Sequence, residues 1–116
     1  MSDCLFCRIV AGDIPSQKVY EDEEMLAFRD ISPARPVHVL LIPKKHIASL
    51  ISADSEDAPL LGRMLVRANA IAVAEGSPEG FRVIINNGRV GQQEVPHLHI
   101  HVVGGPDPVG PMLTRI

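Results

Sequence analysis

Apolar positions along the chain change their period several times, and each period predicts an element. Residues 4–10 place Leu5, Phe6, Ile9 and Val10 at helical spacing, so a short amphipathic helix is expected, stopped by Gly12. Residues 17–22 and 25–30 read as two strands joined by acidic Asp22-Glu23-Glu24, a hairpin. The segment 31–36 is a rigid connection, because Pro33 and Pro36 have no N–H to give to a ladder. Residues 37–42 form a strongly apolar strand with one histidine, His38, and Pro43 ends it. Asp54 stands as an N-cap with Glu56 and Asp57 in the first turn, where the helix dipole favours acids. From residue 58 to about 74, Leu61, Met64, Leu65, Ala68, Ile71 and Ala72 recur at helical spacing, and Gly76 closes the helix. Residues 81–86 read as a buried strand, 87–94 as a loop, and 97–103 as a final strand broken by Gly104-Gly105-Pro106.

Strands grouped before and after one long helix, without β-α-β alternation, predict an α+β fold on an antiparallel sheet. One sheet face packs on the helix and the other is available for a site or a partner. A chain of 116 residues with 46% apolar composition makes one domain that needs no disulfide staples. With no Trp, one Tyr and three Phe, its core is aliphatic. Only the tail 104–116, rich in Gly and Pro, is expected to be loosely structured. Net charge is −3, and Lys44-Lys45 is the only basic pair, so nucleic acid is not an expected partner. No apolar stretch approaches the ~20 residues of a membrane span, and the N-terminus lacks a secretory pattern. Two cysteines without an export signal point to a reducing, cytoplasmic setting.

The final strand carries the strongest chemical pattern. In His97-Leu98-His99-Ile100-His101-Val102-Val103, period two sets three imidazoles on one face and Leu98, Ile100 and Val102 on the other. Packed imidazoles lower one another's pKa and favour neutral, proton-transferring forms. Two readings stay open on this pattern alone. His-X-His can bind a metal, or one imidazole can attack an electrophile while its neighbours manage protons. The preceding Gly91-Gln92-Gln93-Glu94 can turn backbone N–H groups toward an anion, which suits a phosphate over the row. Separately, Cys4-Leu5-Phe6-Cys7 is a Cys-X-X-Cys with no room for a strand before it, which argues against a thioredoxin-like motif. Zinc there would need two more ligands; the alternative is two free thiols.

The histidine row resembles the His-φ-His-φ-His-φ-φ signature of the histidine-triad (HIT) nucleotide hydrolases and transferases. Phe28-Arg29-Asp30-Ile31-Ser32-Pro33, the run from His38 to Ile47, Asn86 and Val103-Gly104-Gly105 are similar to the Hint branch. The resemblance implies a single HIT domain over residues 1–116, with a five-stranded antiparallel sheet, a short N-terminal helix, one long helix and pairing as a homodimer. It implies a nucleotide hydrolase cleaving at the α-phosphate of purine nucleoside 5′-phosphoramidates or related conjugates. His99 would form a covalent nucleotidyl-histidine and His101 would serve the leaving group. His38 would orient the site from the next strand, and His97 completes the catalytic set. Asp30 would hold the ribose hydroxyls, and Asn86 and the backbone near Gln93 and Glu94 the phosphate. Phe6, Ile9, Ile14, Phe28, Ile31 and Leu40 would wall the base. It further implies a structural zinc on Cys4, Cys7, His46 and His97, and no cofactor for catalysis. The chain departs from the family at Gln92, where a second glycine is common, and at Glu94, where animal Hint proteins have serine. An anionic Glu94 is unfavourable beside phosphate, so its backbone is the expected contact. A nucleotide-binding scaffold with little catalysis, and a protein using the triad itself as a metal site, are the competing readings.

Overall fold

The computed structural model describes residues 3–112. Its elements are α1 (Leu5–Val10), β1 (Lys18–Glu21), β2 (Met25–Arg29), β3 (Val37–Pro43), a 3₁₀ turn (Ser55–Asp57), α2 (Ala58–Glu75), β4 (Arg82–Ile84) and β5 (Ile100–Gly104). The five strands form one sheet in the order β1-β2-β3-β5-β4, with every neighbouring pair antiparallel. This is the α+β architecture expected, with helices on both sheet faces.

Local chemistry explains the element ends. Asp22 turns the β1–β2 hairpin by accepting the N–H groups of Glu24 and Met25 at 2.8 and 3.0 Å. Asp54 and Asp57 form a reciprocal capping box ahead of α2. Gly76 ends α2 in the left-handed region at φ 113°, where a Cβ is costly.

Alternation along the strands sorts the core into two clusters. Met25, Ala27, Val39, Leu41, Ile100 and Val102 face α2, which buries Leu60, Met64, Ala68, Ile71 and Ala72 against them. Leu26, Phe28, Leu40 and Ile42 face α1, which contributes Phe6 and Ile9. The side of the sheet away from the long helix is thus covered only in part, by a six-residue helix.

Three expectations need correction. The final strand begins at Ile100, so His97 and His99 precede it and only His101 sits in the ladder. Pro43, at the end of β3, has no N–H to extend that pairing, and the Leu98 N–H goes instead to the Ile47 carbonyl at 2.7 Å. The alternation of faces nevertheless persists in the extended segment, because Leu98 joins the cluster under α2. Strand β4 is an edge with Val83 39% exposed rather than a buried strand. In α2 the buried stripe runs through Leu60, while Leu61 is half-buried and Leu65 exposed, because the preceding 3₁₀ turn sets the helix phase. In the tail, the Arg35 guanidinium donates to the Val109 carbonyl at 3.0 and 3.3 Å; residues 113–116 lie outside the described residues.

Candidate active site

Register brings the site histidines together. Leu40 lies opposite His101 and His38 opposite Val103, so β3 and β5 present His38, Leu40 and His101 to the same face. The His38 ring then lies against His101, with Nε2 and Nδ1 2.9 Å apart, and His101 against His99 with ring centroids 5.0 Å apart.

Hydrogen-bond partners decide which nitrogen carries each proton. A carbonyl only accepts, so His99 Nδ1, 2.8 Å from the His97 carbonyl, bears the hydrogen and leaves Nε2 with a free lone pair. The Ala34 N–H donates to His38 Nδ1 at 3.0 Å, so His38 carries its hydrogen on Nε2 and donates to His101 Nδ1. His101 in turn holds its own hydrogen on Nε2. Burial, followed by the neighbouring His99 and His38, pushes the His101 pKa down to about 4, against a smaller opposing pull from Asp30. The arrangement thus sets a nucleophilic nitrogen beside a neutral N–H donor.

These rings open on a cavity of about 510 Å³, within the range of small-molecule sites. Its apolar wall is made by Phe6, Ile9, Ile14, Phe28 and Leu40. Ile31 also borders it but is 99% exposed, so it forms an edge and not a floor. Asp30, at the end of β2, accepts the Ser32 N–H through Oδ1 at 2.8 Å, and its Oδ2 lies 3.5 Å from His38 Nε2. Asn86, Glu94, His38, His99 and His101 complete the predicted lining.

Two predicted residues stand elsewhere. Gln93 does not line the cavity: its side-chain amide donates to the Ala48 and Val95 carbonyls at 2.7 and 2.9 Å and accepts the Gly88 N–H at 2.9 Å. Gln93 therefore pins the loop from behind. Gln92 lines the cavity instead, at φ 57°, the single non-glycine positive φ among the described residues. Its departure from glycine was the only sequence signal for it. Arg29 and Ser32, inside the family-like segment 28–33, also line the cavity, as do Pro15 and Val95, which nothing in their local pattern marked.

His97 was expected both in the catalytic set and among the zinc ligands, and the structure places it away from the cavity and with those ligands. Fully buried, it turns away from the cavity toward Cys4, Cys7 and His46. Its Nε2–H donates to the Pro43 carbonyl at 2.8 Å, which leaves Nδ1 as a bare lone pair. That Nδ1 lies 3.3 Å from Cys4 Sγ, 3.5 Å from Cys7 Sγ and 3.2 Å from His46 Nδ1, and Cys7 Sγ lies 3.3 Å from His46 Nδ1. Tetrahedral zinc with ordinary Zn–N and Zn–S bonds separates its donors by roughly 3.3–3.8 Å. The four residues therefore fit a metal ion in donor type, number and spacing, and the cluster ties α1 to the segment before β5.

The α1 ring Phe6 meets both clusters, edge-on to His97 at 5.9 Å and to His99 at 5.1 Å. No described helix is long and apolar enough to cross a membrane.

The HIT domain pattern matches residues 11–107. Protein HitA of Neisseria gonorrhoeae is 54% identical over 106 residues, covering 91% of this chain and 99% of HitA. A 14 kDa zinc-binding protein of Brassica juncea is 48% identical, covering 89% of this chain and 93% of its own length. Adenylylsulfatase HINT1 of Arabidopsis thaliana is 46% identical, covering 90% and 72%. Among solved structures, a HIT family hydrolase from Legionella pneumophila Philadelphia 1 superimposes with a TM-score of 0.86 at 48% identity, covering 90% of this chain and 95% of that one.

Proposed function

This chain belongs to the HIT domain family, and from that premise we propose that it hydrolyses purine nucleoside 5′-phosphoramidates or related nucleotidyl conjugates at the α-phosphate. The observation that carries the reading is the pair of opposed tautomers, His99 with a free Nε2 lone pair and His101 with an Nε2–H, both on one cavity. His99 Nε2 forms a bond to phosphorus as the bond to the leaving group breaks, and the departing atom keeps the electron pair. The His101 Nε2–H hydrogen-bonds the departing atom, which takes its proton from solvent, while the His38 Nε2–H stays on His38 and holds His101 in that tautomer. The nucleotidyl-His99 ring keeps its Nδ1–H and carries a positive charge. Water then gives its hydroxyl to phosphorus and one proton to solvent as the His99–phosphorus bond breaks, which frees neutral His99 and the nucleoside monophosphate. Asp30 takes the ribose hydroxyls and the Phe6–Phe28 wall takes the base. Asn86 and the backbone of Gln92 and Glu94 take the phosphate. The name of the Arabidopsis relative, adenylylsulfatase HINT1, supports hydrolysis of an adenylyl conjugate, and that of the Legionella relative, a HIT family hydrolase, supports hydrolysis.

The ion suited to Cys4, Cys7, His46 and His97 is zinc, the metal in the Brassica relative's name. Its contribution is structural, since four protein donors close the site and leave no position for water. A reducing, cytoplasmic setting suits two thiolate ligands. A second copy of this chain would cover Leu65, Val66 and Val73, which α2 leaves 46%, 80% and 46% exposed.

Rapid quenching after mixing with adenosine 5′-phosphoramidate, followed by intact mass measurement, tests the reading. The wild type should carry one adenylyl group, and His99→Ala should carry none while still binding adenosine monophosphate. A wild type that binds the nucleotide but never gains the mass would make the protein a nucleotide-binding scaffold.

A further inference from the structure

Sheet order gives the cavity a direction. Strand order sets Phe28 and Asp30, on and just after β2, and Asn86, just after β4, on opposite sides of His38 and His101, and Gln92 and Glu94 come from the loop that continues from Asn86. With the nucleoside at the Phe28–Asp30 end, as in the function proposed above on which this inference rests, the group leaving phosphorus extends toward that loop. Each end carries one carboxylate, and the two differ in what holds it. At the nucleoside end Asp30 accepts the Ser32 N–H at 2.8 Å and lies 3.5 Å from His38 Nε2, while Arg29 beside it is held in a fork by Glu75 at 2.8 and 3.2 Å. Glu94 at the far end is exposed and has no hydrogen bond or ion pair among the described residues, and no lysine or arginine lines that end. The Gln93 anchor between them faces the scaffold, so after Asn86 the loop gives the cavity Gln92, Glu94 and the apolar Val95, of which Glu94 alone is charged.

We propose that Glu94, with the Gln92 amide beside it, selects the leaving group: the site favours nucleotidyl conjugates whose leaving amine carries a further positive charge and disfavours those ending in an anion. Glu94 acts on recognition only; it touches no reacting atom and adds no step to the reaction. A carboxylate at the rim attracts an ammonium and repels a carboxylate by an amount set by solvent screening, about fivefold for an exposed pair. Gln92 supplies amide donors and acceptors that are neutral toward this choice.

Two adenosine 5′-phosphoramidates test it, one made with 1,4-diaminobutane and one with 4-aminobutyrate. The readout is the ratio of their kcat/KM within each protein, so each variant is its own control. Wild type should prefer the ammonium-bearing conjugate by roughly fivefold or more at low ionic strength, with the ratio falling toward one in high salt. Glu94→Gln should bring the ratio near one at all salt concentrations, and Glu94→Lys should reverse it. An unchanged ratio in Glu94→Gln, or no preference in wild type, overturns the proposal. The ratio of dissociation constants on His99→Ala separates this outcome from failure of the hydrolase reading. If wild type turns over neither conjugate, a Glu94-dependent binding ratio upholds the charge selection, and equal binding overturns it.

Discussion

The cluster at Cys4, Cys7, His46 and His97 and the cluster at His38, His99 and His101 draw on the same alternating segment, yet they use imidazole in opposite ways. In the first, the bare Nδ1 of His97 faces His46 Nδ1 and two sulfurs at 3.2–3.5 Å, an array that a metal cation reconciles. In the second, each close contact pairs a hydrogen with a lone pair, from the Ala34 N–H through His38 to His101, and the order holds without an ion. Asp30, His38 and His101 also lie close enough to ligate a metal, but this hydrogen-bond chain already occupies the facing nitrogens. A ring nitrogen becomes a ligand, nucleophile or donor according to what its other nitrogen has been given. Pro43 makes that assignment for His97, and the carbonyl of His97 makes it for His99. That carbonyl and the Phe6 ring are the points where the two clusters touch.

The sharpest way to break the comparison is to remove the ion proposed for the cysteine cluster. A folded-state ligand held a thousandfold above its dissociation constant stabilises by about 4 kcal/mol. Chelation or Cys7→Ser should therefore abolish stoichiometric zinc and lower the melting temperature by on the order of 10 °C or more. Mass spectrometry of the remaining folded protein should still find the His99 adduct. Its disappearance there would merge the two clusters into one device.

A smaller effect is expected inside the second cluster. His38→Phe removes the donor that fixes His101 and should slow turnover by roughly tenfold to a hundredfold. Zinc content measured on the same sample should not change. Equal losses of metal and rate would mean that His38 serves the fold and not the proton order.

A pH dependence is expected from the same cluster. An NMR titration should place the His101 midpoint at about 4. Below the ordinary histidine value near 6.5, the unfolded chain binds a proton that folded His101 refuses until about pH 4. This group's contribution to stability is thus flat above 6.5, declines as pH falls toward 4, and is constant below. Urea midpoints of wild type and His101→Gln should diverge across that window; parallel curves would remove the burial argument.

The periods of the chain were enough to place both helices, all five strands and the Asp54 cap, because each element's apolar face can be read from its own residues. The Cys-X-X-Cys, the three alternating imidazoles and the aromatic-poor wall were equally visible. The end of β5 pairing at Ile100 was not, because it depends on a proline across the sheet rather than on the histidine segment itself. Gln93 and Gln92 exchanged roles for a similar reason. Ala48 and Val95 offer carbonyls to whichever glutamine the loop turns inward, and that turn requires Gln92 at positive φ.

What the sequence determined alone is therefore the set of faces: an extended alternating segment must send Leu98, Ile100 and Val102 one way and its histidines the other. Tertiary structure alone decided which histidine meets thiols and which meets a cavity. Those partners come from residues 4–7, 38 and 46, far along the chain, and only packing brings their lone pairs and hydrogens within bonding distance.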